Sequence, residues 1–129
     1  MKKTVRVTKL LFTTPPLRQV FNEQVWEIVA RVPKGKVVTY GQIAAMIPRP
    51  RGVGVKHFRA ARARWVGGAM ASCPSNLPWH RVINVQGKIS VRSNNKHHLL
   101  QRQRLEDEGI LFGAGGRIDL HVNRWRPRK

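Results

Sequence analysis

The chain has 129 residues, enough for one domain with a modest core. Its 25 Lys and Arg face only 6 Asp and Glu, a formal charge of +19 that exceeds what solubility needs and points to a polyanionic partner. With 41% hydrophobic residues, four Trp and a single Cys, composition excludes a disordered basic tail, an internal disulfide and a multi-Cys zinc site, and fits a reducing compartment. On composition alone a generic ribosomal or chromatin-type protein is the plain alternative. No apolar run approaches ~20 residues, so a membrane partner is not expected.

In chain order, residues 1–18 form a basic arm, with Leu10-Leu11-Phe12 too short for a secretory signal. Phe21, Val25, Ile28, Val29 and Val32 recur at helical spacing and predict an amphipathic helix. Pro33 to Lys36 turns the chain, and Val37-Val38 is short and extended. Thr39 and Gln42 have capping-box spacing, which starts a helix through about Ile47. Pro48, Pro50, Gly52 and Gly54 end it, and a second helix follows to about Ala71 or Ser72. Helix, interrupted turn, helix on a basic chain suggests helix-turn-helix, although the connection is longer than usual and pattern alone leaves this open.

In that second helix Val66, Ala69 and Met70 share one face, expected to pack on the core. Arg64, Gly68 and Ala71 share the opposite face. Gly in an exposed helix costs ~1 kcal/mol relative to Ala, so a face that accepts it is expected to touch something. Close packing of Gly67-Gly68 on a neighbouring helix is the competing account. Arg59 and Arg62 would fall near the core face, which predicts a break or a late helix start. Further on, Leu99 to Glu108 is a polar helix closed by Gly109. Ile110 to Phe112 and Arg117 to Leu120 flank glycines as a hairpin would. Residues 123–129 are expected to be a loose, phosphate-contacting tail, and 19–122 the folded domain.

The most informative run is Pro78-Trp79-His80-Arg81-Val82-Ile83-Asn84. It resembles the active-site segment of the O6-alkylguanine-DNA alkyltransferases, which read Pro-Cys-His-Arg-Val there. Three further blocks match in family order: Val32 to Ala44, Arg64 to Met70, and Gln101 to Gly109. In those proteins the Cys takes the alkyl group onto its sulfur. Trp79 stands at that position, and an indole is no nucleophile at neutral pH. Pro-Trp-His-Arg is the mark of the alkyltransferase-like proteins, which bind alkylated DNA without repairing it.

The resemblance implies a mostly α fold (α+β minor), a winged helix-turn-helix as in the alkyltransferase C-terminal domain. It implies a monomeric, non-enzymatic sensor that flips O6-alkylguanine out of duplex DNA and flags it for nucleotide excision repair proteins. No cofactor and no metal are expected. The expected location is cytoplasmic and nucleoid-associated in a prokaryote, or nuclear in a eukaryote. Tyr40 matches the Tyr that crowds the 3′ phosphate, although spacing alone also fits a capping-region aromatic. Arg64 matches the arginine finger that replaces the everted base, with a phosphate contact as the alternative. Gly67 and Gly68 would admit the DNA backbone. Trp79 and Val82 would line the pocket, and Arg92 would point toward the damaged base unless it is a solvated loop residue. His80 and Glu108 match the pair that activates the thiol, here retained for hydrogen bonding that fixes the pocket loop, and Arg81 is expected to brace it. Cys73 stands where the family has an Asn hinge. An enzyme using Cys73 is implausible, because it precedes Pro74 and lies six residues before Trp79. A general architectural DNA-binding protein remains the serious competitor.

Overall fold

The apolar spacing of the first predicted helix is realised in α1, Arg18–Arg31, in a computed structural model that describes residues 17–91 and 97–127. Phe21, Val25, Ile28 and Val29 are buried along one side, and Val32 just beyond the helix joins them. Val32 is extended, as the residue before a proline prefers, and Gly35 at φ +83° then turns the chain. The basic arm through Pro16 lies outside the described residues.

Strand β1, Val38–Thr39, pairs in parallel with β2, Val82–Ile83, in the register Val38↔Val82 and Thr39↔Ile83. Thr39 also caps α2, Tyr40–Met46, its hydroxyl accepting from the Gln42 N–H at 3.0 Å. Only half of the expected capping box forms. The Gln42 side chain instead donates to the Trp125 carbonyl at 2.6 Å.

Helix α3, Val55–Ala71, packs on both α1 and α2. It is continuous, which corrects the expected break. Phe58, Ala61, Trp65, Val66 and Ala69 form the buried stripe, and this phase leaves Arg59 exposed. Arg62 runs its stem past Phe58, its guanidinium 5.8 Å from the ring centroid. Trp65 meets Phe21 edge-on at 5.8 Å, and Trp26 donates to the Ala69 carbonyl at 2.8 Å, so α1 and α3 are locked together.

A second cluster, Val37, Ile83, Leu105, Ile110 and Ile118, lies on the other side of the small sheet. Helix α4, His97–Asp107, contributes only Gln101 and Leu105 to the interior. Gly109 at φ +88° closes it, with the Ile110 N–H returning to the Leu105 carbonyl at 3.1 Å.

The expected hairpin is reduced to one antiparallel bridge, Phe112↔Ile118, around a 3-10 turn at Ala114–Gly116. Two strands do not develop because the Ile118 N–H pairs sideways with the Gly87 carbonyl at 2.8 Å. Gly87 sits at φ +80°, and a Cβ there would lie 2.7 Å from the Ile118 carbonyl oxygen. Gly87→Ala is therefore expected to lose at least ~1 kcal/mol in urea unfolding. Gly68→Ala meets open space on α3 and should gain up to ~1 kcal/mol.

The expected loose tail is also corrected, as far as it is described. After α5, Leu120–Asn123, the Val37 N–H donates to the Asn123 carbonyl at 2.9 Å, and the Trp125 N–H donates to the Val37 carbonyl at 2.7 Å. Val37 offers backbone groups that must be paired once buried, and Trp125 adds apolar area to the main core. Arg31 lies 5.8 Å from the Trp125 ring centroid.

Candidate functional site

The parallel β1–β2 pairing sets Val38 and Thr39, just before Tyr40, beside Val82 and Ile83, just after the Trp79–Arg81 turn. Residues Trp79–Arg81 form a 3-10 turn that runs directly into β2. Behind it, the Gln101 amide donates to the carbonyls of His80 and Val82 at 3.0 and 2.8 Å. Both carbonyls are thereby paired, and the turn is pinned to α4.

His80 is 7% exposed, and its Nε2 lies 2.7 Å from Glu108 Oε2. Arg81 donates to Glu108 from Nε at 3.1 Å and from Nη2 at 2.8 Å, and from Nη1 to the Val32 carbonyl at 2.7 Å. The Gly35 N–H donates to Glu108 Oε1 at 3.0 Å, an oxygen that Arg81 Nε also reaches. Burial pushes the Glu108 carboxyl up, but Arg81, the Gly35 N–H and His80 outweigh it and pull the pKa down to about 2. One carboxylate thus joins α4, the turn after α1 and the Pro-Trp-His-Arg segment.

In front of the turn lies a cleft of about 430 Å³, a size common for small-ligand pockets. Tyr40, Met70, Cys73, Trp79, Val82 and Arg104 contribute to its walls. Trp79 is half-buried. The His97 ring lies 5.7 Å away at 30°, and the Arg104 guanidinium lies 5.3 Å from the indole centroid. Burial pushes the Cys73 thiol up to about 11, so it is protonated at neutral pH and a poor nucleophile. His80 Nδ1 finds no hydrogen-bond partner among the described residues. A His held by a carboxylate is a general-base arrangement, but the adjoining side chain is an indole with nothing to deprotonate at neutral pH.

Tyr40, Trp79 and Val82 therefore meet at one cleft. His80 and Arg81 do not line it; they stand behind it and hold its wall. Arg64 and Gly68 are exposed on α3, and Ala71, further along that face, reaches the cleft. Gly67 is buried, contrary to the expectation that it faces outward, because it follows Trp65 and Val66 into the core stripe. Arg92 lies outside the described residues.

Sequence reasoning missed α4 as a wall of the cleft. His97, Gln101 and Arg104, spaced by four and three residues, share one helical face, and that spacing was the available signal.

The family described as 6-O-methylguanine DNA methyltransferase, DNA binding domain, matches residues 20–110. A DNA base-flipping protein of Escherichia coli (strain K12) is 41% identical over 107 residues, spanning 81% of this chain and 74% of the relative. Alkyltransferase-like protein 1 of Schizosaccharomyces pombe is 39% identical over 113 residues, spanning 83% and 95%. The crystal structure of S. pombe Atl1 in complex with damaged DNA containing O6-carboxymethylguanine is similar with a TM-score of 0.70. It shares 34% identity over 84% of this chain and 97% of that one.

Proposed function

We propose, from the premise that this chain belongs to the 6-O-methylguanine DNA methyltransferase DNA-binding family and is an alkyltransferase-like protein, that it senses O6-alkylguanine and leaves the alkyl group in place. It binds duplex DNA and turns the damaged nucleotide out of the stack into the Trp79 cleft. Extrusion costs a few kcal/mol, and less for an O6-alkylated guanine whose pairing to cytosine is already impaired.

The observation that carries this reading is Trp79 standing directly before the paired His80 and Glu108. The His80–Glu108 contact at 2.7 Å and the Arg81 brace are intact, and the cleft stands open in front of them. The machinery for holding the loop persists without an ionisable nucleophile for it to serve.

The roles of the remaining side chains follow. Tyr40, at the start of α2, crowds the phosphate beside the flipped nucleotide. Arg64 enters the space the base vacates, and Gly68 lets the DNA backbone approach α3. Trp79 and Val82 pack against the alkyl group. A protein that holds a lesion without removing it needs a second system to excise it, and nucleotide excision repair suits a bent, marked duplex.

The test is competitive binding of an O6-methylguanine duplex against a matched guanine duplex near physiological salt, with mass spectrometry of the protein afterwards. The lesion duplex should win, and the protein should carry no methyl group. A methylated protein overturns the sensor reading. Equal affinity for the two duplexes across a salt series favours the architectural role that the +19 charge allows.

A further inference from the structure

We propose that the cleft favours O6 substituents that end in a carboxylate, and that Arg104 is the residue that recognises the charge. The proposal rests on the cleft being the receptacle for the extruded base. Among the described residues three arginines lie near this part of the fold, and two of them already have a carboxylate partner. Arg81 is paired with Glu108 at 2.8 Å, and Arg102 with Glu106 at 3.3 Å. Arg104 is half-buried in the cleft wall, and no carboxylate among the described residues pairs with it. No Asp or Glu occurs among the described residues that line the cleft, whereas His97 and His98 do. His98 Nδ1 is buried and has no hydrogen-bond partner among the described residues.

The position of Arg104 suits recognition as well as its charge does. Its guanidinium lies 5.3 Å from the Trp79 ring centroid, so the indole holds one face of the group. Stacking leaves the N–H groups at the guanidinium edge, where a carboxylate can accept two of them. Trp79 meanwhile offers an apolar surface to the methylene that joins such a carboxylate to O6. A neutral substituent of the same size keeps the apolar contact and loses only the charge-assisted hydrogen bonds.

The experiment uses the full chain and four duplexes of one sequence, carrying O6-carboxymethylguanine, its neutral O6-carbamoylmethyl analogue, O6-methylguanine or guanine. The wild-type protein should prefer the carboxylate over the amide by about tenfold. Arg104→Gln should bring that ratio near one, and Arg104→Lys, which keeps the charge but loses the stacked two-donor edge, should keep only part of it. Arg102→Gln removes the same charge from the same helix outside the cleft and should leave the ratio unchanged. A wild-type ratio of one or less overturns the proposal. So does a ratio that survives Arg104→Gln, or an equal loss by that variant on all four duplexes, which would assign Arg104 to a backbone phosphate. If O6-methylguanine is not preferred over guanine by the wild type, the sensor function itself fails; if it is preferred and the ratio is one, only the Arg104 inference fails.

Discussion

Glu108→Gln should destabilise the protein by about 3 kcal/mol, lowering its melting temperature by roughly 10 °C. The substitution keeps the side chain's size but removes the charge on which Arg81, His80 and the Gly35 N–H converge. Arg81 and Glu108 side chains are only 16% and 9% exposed, so the guanidinium would be left without its counter-charge and with little water to replace it. The carboxyl depressed by these same contacts gives a magnitude of the same order. Moving it from 4.5 to about 2 corresponds to a contribution on the order of 3 kcal/mol.

The sign of the pH dependence follows from the same shift. A carboxyl whose pKa is lowered by folding stabilises the fold fully above the unfolded value of 4.5, and the contribution is lost as pH falls through about 2. The stability gap between wild type and Glu108→Gln should therefore be full near neutrality and shrink across that window. Urea unfolding at stepped pH measures it. A gap that stayed constant down to the acid limit would mean that the charge of Glu108 is not what holds the loop.

Arg64→Ala should weaken binding to an O6-methylguanine duplex by about 1–3 kcal/mol, roughly 5- to 150-fold. Arg64 is exposed on the outer face of α3, one turn before Gly68, on the face that reaches the cleft at Ala71. An arginine inserted in the duplex acts only where a base has been turned out, so the loss on undamaged DNA should be smaller. Arg59→Ala, also exposed on α3, serves as the phosphate-type comparison. It should weaken both duplexes alike and reduce the salt slope by about one. Equal losses on damaged and undamaged DNA for Arg64→Ala would make it another phosphate contact.

Much of the fold was legible because its signals are local. The Phe21-to-Val32 spacing, the Thr39 cap and the glycine at 109 each act within a turn or two of chain, and each appears where expected. The errors came where one local signal competed with a distant partner. Taking Val66, Ala69 and Met70 as the core stripe omitted Trp65, whose edge-on contact with Phe21 sets the phase of α3 and buries Gly67. The tail looked like a solvated run of arginines, yet Val37 needed backbone partners and Trp125 needed burial. The expected hairpin gave way to a single bridge because Ile118 pairs with Gly87.

The order of residues alone placed Trp79 within a Pro-x-His-Arg-Val run, since identity at one position needs no coordinates to read. It also pointed to a polyanionic partner, because charge excess is a property of composition. Only the tertiary structure decided what surrounds that position: Glu108 reaching back to Arg81 and Gly35, and Arg104 arriving over the indole from a helix the sequence marked merely as polar. Those contacts join residues far apart in the chain, and no local periodicity records which distant side chains the packing of α4 will bring to one wall.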